Sequence, residues 1–268
     1  MENQTQTRKR ARVIVVGNQK GGSGKSTIAM HLIVGLARAG HVVGSVDLDA
    51  GQATLTRYLE NRKAFADKRN IEMPGPAHVP LAPSENVEAD KRRLEEVMQG
   101  YYEQVDTIVI DTPGTDIPVS RYAHSFADTL VTPLNDSFID LDVLARVDGE
   151  TLKILGPSPY AAAIWEAKQA RAQRDRGQIE WIVLRNRLST LDARNKREME
   201  DALNELSRRI GFRVISGLAE RVIYRELFLN GLTLLDLRAQ GTGVDMKMSH
   251  VAARNEIRGL LSAVGIKE

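Results

Sequence analysis

Residues 12–17, RVIVVG, form a β-branched run closed by glycine, and KGGSGKST at 20–27 follows at once. A run apolar at every position reads as a strand buried on both faces. The segment 26–39 then takes up a helical apolar period closed by Gly40, and HVVGSVD at 41–47 returns the chain to the sheet. Strand, helix, strand is a βαβ unit, whose crossover is right-handed and whose sheet is parallel.

The alternation persists. The pattern predicts a helix at 54–67, a proline-rich loop at 73–85 too broken for a regular element, a charged helix at 86–102 and a buried strand, VDTIVID, at 105–111. Strands follow at 128–135 and 179–186, with helical material near 139–153 and 161–175. Asp192 is a good cap for a helix at 193–210, which stacks Met199, Leu203, Leu206 and Ile210 on one side. A strand at 212–215 and a helix at 246–264, with Val251, Ile257, Leu260, Leu261 and Val264 on one face, complete the chain. The expected fold is a single α/β P-loop domain over residues 12–268, a mostly parallel twisted sheet with helices on both faces. A flexible basic tail, 1–11, precedes it.

Composition excludes more than it selects. The 268 residues are 42% hydrophobic and 27% charged, enough to bury a core and inconsistent with collagen-like or disordered chains. There is no cysteine, which rules out disulfides, thiolate zinc sites, cysteine nucleophiles and cysteine-held iron–sulfur clusters. With a formal charge of +2, any hold on nucleic acid must come from local clustering. The four apolar residues 13–16 are too few for a secretory signal, and 28–37 falls short of the ~20 residues of a membrane span. A cytoplasmic protein is expected.

In KGGSGKST, Gly21, Gly22 and Gly24 permit backbone conformations that side chains would block, so successive N–H groups can wrap a polyphosphate at a helix N-terminus. Ser23 and Thr27 complete the loop. Lys25 is placed to contact β- and γ-phosphates, as of ATP, and Ser26 to ligate Mg2+. Asp111, ending an apolar strand and followed by TPG, is the expected carboxylate of the magnesium shell. In VDLDAGQ, Asp47 and Asp49 stand two apart at a strand end, so both can face the carboxyl edge of the sheet.

The loop departs from the strict GxxxxGK[ST] pattern, with Gln19 at the first glycine position and an extra lysine, Lys20. KGGxGK[ST] resembles the deviant Walker A motif of the ParA/MinD family of dimerising ATPases. The resemblance implies that Lys20 reaches the phosphates in the other subunit and that Asp49 positions the attacking water while Asp47 supports magnesium. It also implies that Pro113 and Gly114 begin a γ-phosphate switch, and that Asn186, with Arg187 after it, recognises adenine. An amide suits a base edge, although an Asn-Arg pair at a strand end can also be a plain turn.

Longer stretches, TPLNDSFIDLDVL at 132–144, WIVLRNRL at 181–188 and RVIYRELFLNGLTLLDL at 221–237, narrow the resemblance to the branch of that family that places the bacterial division plane. That branch implies slow, dimer-dependent ATP hydrolysis and an ATP-bound homodimer on nucleoid DNA without sequence preference. Its further partners would be ParB and FtsZ, with FtsZ polymerisation inhibited. A ParA-type partitioning ATPase, a MinD-like membrane ATPase and a nucleotide-gated scaffold with negligible turnover are the alternatives. The last helix lacks an aromatic on its apolar face and carries Glu256 beside Arg254 and Arg258, which favours docking on the sheet over lipid. For DNA, Arg194, Arg197 and Arg208 fall within about 60° on the helix 193–210, opposite Leu203. Arg209, Arg213, Arg221 and Arg225 lie nearby in sequence, while Glu198, Asp201 and Glu205 share that face and can pair with it.

Overall fold

The computed structural model describes residues 10–49, 51–147, 154–188, 193–237, 242 and 247–266. The elements run β1 (Arg12–Val16), α1 (Lys25–Arg38), β2 (Val43–Asp47), α2 (Thr54–Arg69), β3 (Ala77–Pro80), α3 (Val87–Gln104), β4 (Thr107–Asp111) and α4 (Pro118–His124). They continue with β5 (Thr129–Asn135), α5 (Phe138–Leu141), β6 (Ala145–Val147), β7 (Ile154–Pro157), α6 (Pro159–Asp175) and β8 (Glu180–Asn186). The chain closes with α7 (Ala193–Ile210), β9 (Arg213–Ile215), α8 (Ile223–Phe228) and α9 (Met248–Ala263).

Seven strands form one parallel sheet in the order β3-β2-β4-β1-β5-β8-β9. The apolar run of β1 is divided by its pleat. Val13 and Val15 enter a core shared with α3, α4, α6 and α7, whereas Ile14 and Val16 face α1, α2, α8 and α9. Each such side chain contributes roughly 1.5–3 kcal/mol by leaving water, and a polar residue anywhere in β1 would cost one of the two cores.

Three expectations are corrected. The proline-rich stretch 73–85 holds β3, an edge strand whose partner is β2; prolines are tolerated there because an edge strand needs only one row of ladder bonds. Residues 139–153 are not one helix. α5 stops at Leu141, and β6 pairs antiparallel with β7, joining Ala145 to Pro157 and Arg146 to Gly156. In the expected tail, Arg10 pairs with Asp175 at 2.6 Å and Ala11 is buried, so these two belong to the folded body. Residues 1–9, and the cap assigned to Asp192, lie outside the described residues.

Helix α9 buries Ile257, Leu260 and Leu261. Leu261 packs so close to α1 that a Cβ on Gly35 would fall 2.5 Å from its Cδ2. The apolar face is thus covered by the protein itself. Among the described residues no helix is long and apolar enough to cross a membrane.

Candidate nucleotide site

Because the sheet is parallel, β1, β2 and β4 all end at one edge, where Asp111 is the register partner of both Val16 and Asp47. The loop leaving β1 enters α1 at Lys25, with Gly22 at φ 71° and Gly24 at φ 89°, in the left-handed region that glycine alone adopts without strain. Space demands glycine too. A Cβ on Gly24 would lie 2.4 Å from the Asn186 amide nitrogen, and one on Gly114 would lie 2.9 Å from the backbone of Gly21. The segment after β4 therefore rests directly on the loop.

Lys25 is buried, and its ammonium donates to the Lys20 carbonyl at 3.0 Å. Burial lowers its pKa, opposed by the charges of Asp111 and Asp49. Asp111 is fully buried, and neither carboxylate oxygen has a hydrogen-bond partner. Burial raises its pKa, with the charges of Asp47 and Asp49, while the Ser26 hydroxyl and Lys25 draw it down. A buried carboxylate whose two oxygens lack a partner among the described residues, beside a glycine loop at a helix N-terminus and a lysine, fits a magnesium–polyphosphate ligand.

Asp49 is half-buried at the mouth, its pKa raised by burial and by Asp47, against the Gln52 N–H and Lys25. Asp47 behaves differently. It is fully buried, and its oxygens accept from Asp49 N at 3.0 Å, Thr56 N at 3.0 Å and Thr56 Oγ1 at 2.7 Å. The Lys20 ammonium is ion-paired with the buried carboxylate of Asp140. Asn186 donates to the Ser23 carbonyl at 2.8 Å, and its Oδ1 accepts from Arg187 N at 2.9 Å, so the side chain braces the loop. Beside it lies a cavity of about 490 Å³ bounded by Gly24, Thr27, Asn186, Arg187 and Tyr224, a size that suits a small ligand.

The family described as ATPase MipZ matches residues 12–267. The chain belongs to the MipZ ATPase family. It is 31% identical over 157 residues to an uncharacterized ATP-binding protein of Methanocaldococcus jannaschii, a match covering 53% of this chain and 59% of that one. The chain thus spans 59% of the length of that relative. Among solved structures it is similar to an McdA–ATP complex from Cyanothece, with TM-score 0.68, 17% identity and coverage of 97% and 98% of the two chains. It is also similar to the septum site-determining protein MinD complexed with Mg-ADP from Pyrococcus horikoshii, with TM-score 0.58, 18% identity and coverage of 96% and 99%. These likenesses establish a shared fold.

In this MipZ-family chain the arginines singled out for DNA do not behave as one set. Arg209 pairs with Glu205 at 2.7 Å, Arg213 with Glu180 at 2.6 Å, Arg221 with Glu256 at 2.5 Å and Arg225 with Glu220 at 3.5 Å. Arg221 and Arg225 line the cavity beside the loop. Arg197 and Arg208 are exposed on α7 and make no ion pair among the described residues; the Arg194 side chain lies outside them. Three residues at the site escaped the sequence pattern. Asp140 sits in an acidic stretch that names no partner, Thr56 meets Asp47 only through the fold, and His78 reaches Thr56 in the same way.

Proposed function

We propose that the chain is an ATP-dependent, dimerising P-loop ATPase switch that positions the cell division site, binding nucleoid DNA and ParB and inhibiting FtsZ polymerisation. The observation that carries this reading is the pair of lysines. Lys25 lies inside the loop beside the idle carboxylate of Asp111, while Lys20 is ion-paired with Asp140. One lysine per site suffices to counter phosphate charge in the same chain, which leaves Lys20 for a second subunit.

Backbone N–H groups of residues 21–27 would hold the phosphates, Lys25 would oppose the β- and γ-oxygens, and Asn186 and Arg187 would face the base. Ser26 and Asp111 would hold Mg2+, which supplies charge neutralisation on the phosphates when bound. Asp47, with both oxygens already bonded, supports that shell from behind. Asp49 would orient the water whose attack converts ATP to ADP and phosphate, and Pro113 and Gly114 would follow the γ-phosphate through their contact with Gly21. Slow turnover would make the dimer a timed state.

The covered apolar face of α9 favours the DNA-bound reading over a MinD-like membrane ATPase. Light scattering with ADP and with ATP, each with and without duplex DNA, tests the proposal. The expected result is a monomer with ADP and a dimer with ATP that alone retains DNA; a chain that stays monomeric with ATP refutes it. FtsZ sedimentation with and without the ATP dimer separates the division-site role from ParA-type partitioning.

A further inference from the structure

Ser45 and His78 are register partners on β2 and β3, and the Ser45 hydroxyl lies 2.8 Å from His78 Nδ1. On its other side, His78 Nε2 is 3.0 Å from Thr56 Oγ1. Thr56 stands in the first turn of α2, where Ala53 at the N-cap offers no side-chain acceptor. Asp47, reaching from β2, supplies the missing acceptor.

The directions of these bonds follow from counting protons. The single hydroxyl proton of Thr56 goes to Asp47 Oδ2 at 2.7 Å, the oxygen that also accepts the Thr56 N–H. Thr56 must therefore accept from His78, so Nε2 carries a proton. Burial lowers the His78 pKa, against Asp47 and Glu60, so the ring is neutral near pH 7 and Nδ1 is bare. Ser45 must then donate to Nδ1. The result is an ordered chain from Ser45 through His78 and Thr56 to Asp47, whose other oxygen holds the Asp49 N–H at 3.0 Å. The turn after Asp49 closes on the same residue, with Gln52 N and Ala53 N donating to its carbonyl at 3.0 and 2.7 Å.

We propose that His78 is a positioning residue for ATP hydrolysis: through Thr56 it fixes Asp47, and Asp47 fixes the backbone that aims the Asp49 carboxylate. This rests on the reading of Asp49 as the group that orients water. Without the Nε2–H donor the Thr56 hydroxyl is free to turn from Asp47, and the Asp49 backbone, held by Asp47, loses part of its anchor. The phosphate cradle, built from β1, α1 and β4, is untouched by that change. The effect therefore falls on the hydrolytic step and spares nucleotide binding.

The test uses the full chain and three readouts: affinity for a fluorescent ATP analogue, ATP-driven dimerisation, and single-turnover hydrolysis. Thr56→Val and His78→Asn should bind ATP and dimerise as the native protein does, yet hydrolyse roughly 10- to 100-fold more slowly, the scale of a small misplacement of a catalytic group. His78→Gln, whose amide N–H replaces Nε2–H, and Thr56→Ser should restore most of the rate. Native hydrolysis in Thr56→Val and His78→Asn while Asp49→Ala is inactive overturns the positioning role and leaves the reading of Asp49 standing. Loss of ATP binding together with hydrolysis overturns it as well, since His78 would then only support the fold. Near-native hydrolysis by Asp49→Ala overturns the reading beneath both.

Discussion

The Lys20 ammonium rests on the Asp140 carboxylate, whose side chain is 4% exposed while that of Lys20 is 37% exposed. The second Asp140 oxygen has no partner, so Lys20 is the neutralising charge for an acid that the fold has buried. In the proposed dimer Lys20 has to exchange Asp140 for a phosphate of the other subunit.

The two lysines should accordingly separate in mutation. Lys25→Ala is expected to abolish ATP binding, because it removes the buried ammonium facing the phosphates. Lys20→Ala should bind ATP and fail to dimerise. Asp140→Asn should release Lys20 and shift dimerisation to lower ATP concentration. Titration by fluorescence for binding and by light scattering for size checks all three, and identical behaviour of the lysine variants would remove the intersubunit role.

DNA binding is expected to depend on Arg197 and Arg208, the arginines of α7 that pair with no acid among the described residues. Arg208→Ala and Arg197→Ala should weaken binding of the ATP dimer, each lowering the log–log salt slope by roughly 0.9 if the contact is to phosphate. Arg209→Ala should matter less, since Arg209 is held by Glu205 at 2.7 Å. Affinity measured against salt, with dimerisation monitored alongside, decides the matter. Unchanged low-salt affinity in the Arg197 and Arg208 variants would place the DNA surface elsewhere.

Two buried histidines make stability sensitive to acid. Burial lowers His31 and His124 to about 4. Above about pH 6.5 neither folded nor unfolded chain protonates them; as pH falls from there toward 4, only the unfolded chain takes up the protons, so stability is lost. The loss is on the order of 3 kcal/mol for each histidine. Asp111 acts in the opposite sense, since its raised pKa lets the folded chain bind a proton first. The comparison that isolates a histidine is therefore native against His124→Leu. Urea midpoints across that range should fall less steeply in the variant by about one proton, and parallel curves would sink the assignment.

Asp236 gathers three elements. Its buried carboxylate accepts from Arg62 at 2.8 and 3.0 Å, from Arg38 at 2.7 Å and from Thr233 N at 2.7 Å. Burial would raise its pKa, and the bonds and charges of Arg62, with Arg38, hold it down at about 2. Asp236→Asn should cost about 3–5 kcal/mol, because the Arg62 guanidinium stays buried without its counter-charge. Replacing Arg62 and Asp236 together by apolar residues should cost less than the single change. Denaturant unfolding of the native chain and the two variants measures this.

What the sequence determined was local. The β-branched run 12–16, the glycines and lysines of 20–27 and the helical period of 193–210 each state their structure within a few residues, because buried strands, phosphate loops and amphipathic helices are fixed by the spacing of side chains along one segment. Tertiary structure decided whatever depends on a partner far along the chain. β3 is a strand because β2 offers it a ladder, although its prolines argue for loop. β6 exists because β7 lies opposite, where the local period at 139–153 suggested helix. Lys20 finds Asp140, Arg213 finds Glu180 and His78 finds Thr56 across 120, 33 and 22 residues respectively. An ion pair or a hydrogen-bond chain needs two groups within about 3 Å, and no one-dimensional pattern encodes that distance; the parallel sheet does, by ending β1, β2 and β4 at the same edge.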